Sequence, residues 1–181
     1  MSDYFQLFDL APAFEVDEAQ LQSRYRELQR QFHPDRVAGE APDVQRAAVA
    51  RAADINTAFA TLRDPVLRAR HLLARAGHAL PPDSATVSDT DFLMAQMELR
   101  EQLEEADDLA ALASLREEVE DWLQSLGREF VLDYGAEDWA EAADTVRKMQ
   151  FMAKLLDDIV DREARLEDDD YDNDDGPGGD D

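Results

Sequence analysis

The chain has no cysteine, and among its 18 basic residues only two lysines, Lys148 and Lys154. Without thiols there can be no disulfide framework, no thiolate nucleophile and no cysteine-bound zinc or iron–sulfur cluster. Only three histidines are present, His33, His71 and His78. They are scattered, so no resident metal or cofactor is expected. No apolar run reaches the roughly 18 residues a membrane-spanning helix needs, and the opening "MSDYFQLFDL" lacks the basic region and apolar run of a signal peptide. The cytoplasm is the expected setting. Cations are in short supply too. A formal net charge of −25 argues against binding nucleic acid or an anionic membrane, because phosphate neutralisation needs a basic patch.

That charge is unevenly spread. Residues 1–76 carry 11 acids and 10 arginines, whereas residues 77–166 carry 23 acids and 8 bases. The last 15 residues, 167–181, add 9 acids and no base. A nearly neutral first part therefore precedes a strongly acidic second one.

Alternating runs rich in Val, Ile and Thr are missing, and apolar residues recur instead at three and four. This periodicity predicts an all-α protein. Asp17 is a good N-cap for a helix over about 18–32, on which Leu21, Tyr25, Leu28 and Phe32 share one face and Arg26 and Arg30 lie opposite. Pro34 halts it, since the residue before a proline is pushed out of the helical region. A second long helix, about 43–63, places Val44, Ala48, Ala52, Ile55, Phe59 and Leu62 on one side, and its alanines suit close antiparallel packing. A third begins near Pro65 and stops at Gly77.

"HALPPDSATVSD" has linker character, which sets a first domain at 1–76 and a linker at 77–88. Beyond it, helices over about 89–106, 108–134 and 137–163 suit an antiparallel three-helix bundle spanning 89–163. Leu112, Leu115, Val119, Leu123, Leu126 and Phe130 define one inner stripe; Trp139, Val146, Met149, Ala153, Leu156 and Val160 define another. Residues 164–181, ending "EDDDYDNDDGPGGDD", cannot bury apolar surface and read as a disordered acidic tail.

Two surface features stand out. The first is His33-Pro34-Asp35. As punctuation it needs only Pro34. As a docking corner, a rigid polar turn beside the arginine face suits an acidic partner surface. As a catalytic pair, His33 would be a general base oriented by Asp35. Two residues flanking a proline are not expected to face each other, and no nucleophile or phosphate-cradling glycine loop accompanies them. The second feature is on the 89–106 helix. Phe92, Leu99 and Leu103 cluster within about 40° as an inner stripe, whereas Leu93, Met94 and Met97 share an arc with Glu98, Glu101 and Glu105. Apolar residues among carboxylates predict a recognition patch, and flexible thioethers suit one. Phe151 likewise falls off the main stripe of its helix. Packing of Leu93 and Met97 against a neighbouring helix is the alternative that periodicity leaves open.

"LQSRYRELQRQFHPDR" followed by "INTAFATLRDP" resembles a J-domain. Together with "MSDYFQLFDL", "DTDFLMAQMELREQL" and "AADTVRKMQFMAKL", the chain resembles the HscB family of J-domain co-chaperones, bacterial type, over about residues 1–160. The resemblance implies an N-terminal J-domain helical hairpin and a C-terminal bundle, and a protein without catalytic residues of its own. It further implies that His33, Pro34 and Asp35 stimulate the ATPase of an HscA/DnaK-type chaperone, with Arg26, Arg30 and Arg36 meeting its acidic nucleotide-binding domain. Leu93, Met94, Met97, Glu98, Glu101, Glu105 and Phe151 would bind the iron–sulfur scaffold protein IscU, delivering it for cluster transfer. The main rival, a general J-domain co-chaperone for unfolded clients, lacks here its expected glycine/phenylalanine-rich linker and cysteine-rich zinc repeats. A hydrolase using His33 and Asp35 is the more distant one. The acidic tail has no counterpart that the family requires.

Overall fold

The computed structural model describes residues 3–81 and 89–174, with side chains described as far as Asp168. Two compact units meet in sequence after Pro81. Of the expected linker, residues 82–88 lie outside the described residues, as do residues 175–181 of the expected tail.

The first unit holds α1 (Tyr4–Leu7), α2 (Glu18–Phe32), a 3-10 turn (Pro34–Val37), α3 (Pro42–Arg63) and α4 (Pro65–Arg75). Local chemistry starts and stops each element. Asp3 caps α1 by accepting from the Phe5 and Gln6 amides, Asp17 caps α2 through the Gln20 amide, and Asp64 caps α4 through the Leu67 amide. Each satisfies amides that lack an intrahelical partner. Gly77, at φ +90, takes the left-handed conformation that ends α4. Helices α2 and α3 run antiparallel, with Tyr25 stacked on Phe59 at 4.0 Å between ring centroids. Tyr25 also donates to Asn56 at 3.0 Å.

The core beneath them is Phe5, Phe8, Leu21, Ile55, Ala58, Leu62, Val66, Ala69, Leu72 and Leu73. Each large apolar side chain buried in this way contributes about 1.5–3 kcal/mol. Val44, expected on the inner side of α3, is 41% exposed. The Arg51 guanidinium already lies over the ring of Phe32, the last residue of α2, so the first two turns of α3 run beyond their partner helix.

The second unit is a bundle of α5 (Thr90–Glu105), α6 (Leu109–Gly135) and α7 (Trp139–Asp174). Leu112, Leu115, Val119, Leu126 and Phe130 of α6 are buried against Ala142, Val146, Met149, Met152, Leu155 and Ile159 of α7. The inner stripe expected for α7 is therefore one residue out of register in its second half. Ala153 and Leu156 are only half-buried and Val160 is 52% exposed, while their neighbours Met152, Leu155 and Ile159 point inward. Adjacent residues are about 100° apart on a helix, and where both are apolar the partner helices choose between them. Helix α7 also overruns its expected end: residues 164–174, assigned to the tail, are helical. Extending a helix already held by packing needs no new nucleus, so the acidic residues follow it. An ion pair between Arg116 of α6 and Glu163 of α7 holds the two helices together just before that extension. Among the described residues there is no strand.

Candidate functional sites on the two helical units

The first candidate site is the corner after α2. Pro34 forces His33 to φ −63, ψ 129, and the chain turns directly into the 3-10 turn. Two hydrogen bonds fix the turn: the Arg36 amide donates to the His33 carbonyl at 3.1 Å, and the Asp35 amide donates to His33 Nδ1 at 3.2 Å. The His33 and Asp35 side chains remain 52% and 89% exposed. Contrary to the sequence expectation, they do approach each other, with Nδ1 3.5 Å from the Asp35 carboxylate. The 3-10 turn folds Asp35 back over the proline. Because Nδ1 accepts from the backbone, the ring hydrogen of a neutral His33 sits on Nε2. Asp35 then caps no Nδ1–H, and the pair lacks the orientation in which a carboxylate supports a general base.

Arg26, Arg30 and Arg36 are exposed behind this corner. Arg36 folds back to donate to the Arg30 carbonyl at 3.1 Å, satisfying a helix-terminal acceptor with a cation where the helix dipole favours one. Gln29, Tyr25 and Asn56 form a polar network that pins α2 to α3 and so sets the angle of the arginine face. Arg51, stacked over Phe32 at 5.3 Å, adds a cation that the reading of α2 alone does not supply. Antiparallel pairing of α2 with α3 is the signal that could have found it.

The second candidate site is on α5. Asp89 caps this helix through the Phe92 amide at 3.1 Å and also receives Lys148 of α7 at 2.7 Å. The Lys148 hydrogen bond, with the Phe92 amide, holds the Asp89 carboxyl below its ordinary pKa. Burial works to lower Lys148, but the hydrogen bond and charge of Asp89, with Glu129 and Asp144, prevail and raise it. The same ammonium lies 5.7 Å from the centroid of Phe92, whose ring meets Trp122 and Phe151 edge-on, each at 6.0 Å. Phe92 and Leu99 are buried, so the outward side of α5 is set. On it Leu93, Met94 and Met97 are 42%, 57% and 73% exposed, beside exposed Glu98, Glu101 and Glu105. Phe151 is half-buried rather than fully outward, with Arg100 5.3 Å above its ring.

Residues 88–160 match the family profile described as the HSCB C-terminal oligomerisation domain. Over 165 residues the chain is 44% identical to the co-chaperone protein HscB homolog of Shewanella pealeana, spanning 87% of this chain and 95% of the relative. The chain belongs to the HscB family of co-chaperones. Its structure is similar to that of the chaperone HscB from Vibrio cholerae, with a TM-score of 0.80, 38% identity and coverage of 91% of this chain and 99% of the other. The human co-chaperone protein HscB gives a TM-score of 0.82 at 29% identity, covering 90% of this chain and 83% of that one. The fold of this chain is all-α, an N-terminal J-domain followed by a C-terminal helical bundle.

Within that HscB frame, the contributions sequence reasoning missed are those that hold the surfaces in place. Lys148 was visible as one of only two lysines, in the acidic half, yet its partner Asp89 is 59 positions away. Trp122 and Arg100 gave no signal, because their contacts with Phe92 and Phe151 depend on how three helices meet. Among the described residues, no group of three or more histidine or acidic side chains is arranged to hold a metal ion, and no helix is long and apolar enough to cross a membrane.

Proposed function

We propose that this chain is an adaptor of iron–sulfur cluster assembly. Through His33, Pro34 and Asp35, with Arg26, Arg30 and Arg36, it stimulates the ATPase of an HscA/DnaK-type chaperone. Through Leu93, Met94, Met97, Glu98, Glu101, Glu105 and Phe151 it carries an IscU-type scaffold to that chaperone, assisting cluster transfer and the maturation of iron–sulfur proteins in the cytoplasm. The observation that carries this reading is the opposite character of two exposed surfaces on two separate units: a fixed polar corner backed by arginines, and an apolar strip set among carboxylates.

At the corner, Nδ1 of His33 is occupied by the backbone, which leaves Nε2–H and the Asp35 carboxylate for the partner. The arginines steer an acidic surface toward them, an attraction that salt weakens. Covalent linkage of two binding units raises the effective concentration of scaffold near chaperone without any new contact.

ATP turnover of the cognate chaperone tests the first surface. His33→Gln is expected to bring stimulation down to the basal rate with helicity unchanged; full stimulation by a folded variant refutes the assignment. Calorimetry with the scaffold protein tests the second. Leu93→Ala combined with Phe151→Ala should weaken binding about tenfold or more, the usual consequence of removing central apolar anchors. Unaltered affinity in a folded double variant removes the patch from the proposal.

A further inference from the structure

Among the described residues, the four methionines divide sharply by environment. Met149 and Met152 are 1% and 0% exposed in the bundle core, whereas Met94 and Met97 are 57% and 73% exposed on α5. Because the chain has no cysteine, thioethers are its only oxidisable sulfur. Susceptibility to peroxide follows access to the sulfur lone pair. Hydrogen peroxide is uncharged, so the acidic residues Glu98 and Glu101 on the same face do not repel it.

We propose that Met94 and Met97 form a reversible oxidation site that switches the α5 surface from docking-competent to docking-incompetent. The inference rests on the reading of α5 as the scaffold-binding surface. In the reaction the thioether lone pair attacks one peroxide oxygen, the O–O bond breaks and an S–O bond forms. The proton on the transferred oxygen moves to the departing hydroxide, which leaves as water. Sulfur loses two electrons and peroxide gains them. The sulfoxide is polar and an acceptor only, set among carboxylate side chains whose oxygens are acceptors too. Pressed against an apolar partner surface, it becomes a buried polar group without a hydrogen bond. Sulfoxide reductases with a thiol reductant restore the thioether.

The test uses the full chain, treated with graded hydrogen peroxide and mapped by peptide mass spectrometry, then titrated with the scaffold protein by calorimetry. One oxygen is expected on each of Met94 and Met97 at doses that leave Met149 and Met152 untouched. Scaffold affinity should fall about tenfold or more, by the cost of one unpaired polar group. Treatment with both methionine sulfoxide reductases should restore it. The affinity of a Met94→Leu/Met97→Leu variant, whatever its value, should not respond to peroxide. Equal oxidation of Met149 and Met152 in the folded protein overturns the site. Selective oxidation with undiminished binding overturns the switch alone. An untreated protein that fails to bind the scaffold overturns the docking reading, and the switch with it.

Discussion

Phe92→Ala probes how α5 is held, and hence whether its outer surface has a defined geometry. Helix α5 enters the bundle through few buried groups: Phe92 at 3% exposure, Leu99 at 2%, and the C-cap residue Ala106 at 4%. Phe92 is the largest of these and the hub for the rings of Trp122 and Phe151 and the Lys148 ammonium. Truncating a buried phenylalanine costs about 3–5 kcal/mol, part transfer and part cavity. Trp122 is half-buried and can relax into the space, which places the expectation near ~3 kcal/mol, the lower end. The loss should be local. Because α6 and α7 keep their own extensive interface, hydrogen exchange of α5 amides should accelerate roughly a hundredfold, and that of α6 and α7 much less. Urea denaturation followed by tryptophan fluorescence gives the magnitude, and exchange mass spectrometry gives its location. A destabilisation under about 1 kcal/mol, or acceleration shared equally by all three helices, refutes the hub. Scaffold binding should weaken in parallel, while stimulation of the chaperone's ATPase is retained.

Other consequences follow from named groups. His71 is buried, stacks on Tyr4 at 4.5 Å and accepts from the Tyr4 amide through Nε2, so it is held neutral and burial lowers its pKa. The unfolded chain then binds the proton first, and the stability of the first unit should fall as pH drops below about 6.5 and level off once the folded-state value is passed. Thermal melts of wild type and His71→Gln across that range should differ in slope; parallel curves would exclude the effect. Lys148→Met removes the clip between α7 and the cap of α5. It should lower the melting temperature by a few degrees and weaken scaffold binding, with ATPase stimulation unchanged. In a double-mutant cycle with Asp89→Asn, the double variant should lose less than the two singles together, whereas strict additivity would show that the pair is not coupled.

Much of the fold is legible because it is local. Asp17, Asp64 and Asp108 each act on an amide three residues away, and Pro34 and Gly77 act on their own and adjacent backbone angles. Such boundaries need only a few consecutive residues to be read. At the sites, the identity of the exposed residues on α5 follows from the burial of Phe92 and Leu99, which a helical wheel already orders. The proximity of His33 to Asp35 does not follow, because it depends on the 3-10 turn after the proline, and the half-burial of Phe151 depends on Phe92 and Arg100 from another helix.

The amino-acid sequence by itself determined the six longer helices, where most of them begin and end, and that an arginine face and a methionine–carboxylate face belong to different halves. Each of those properties is a relation among residues within one or two helical turns. Only the tertiary structure decided that Met152, Leu155 and Ile159 rather than Ala153, Leu156 and Val160 fill the α7 core, that α7 continues to Asp174, and that Lys148 anchors Asp89. Those choices compare positions of nearly equal local preference, and the energy separating them comes from the helices packed alongside.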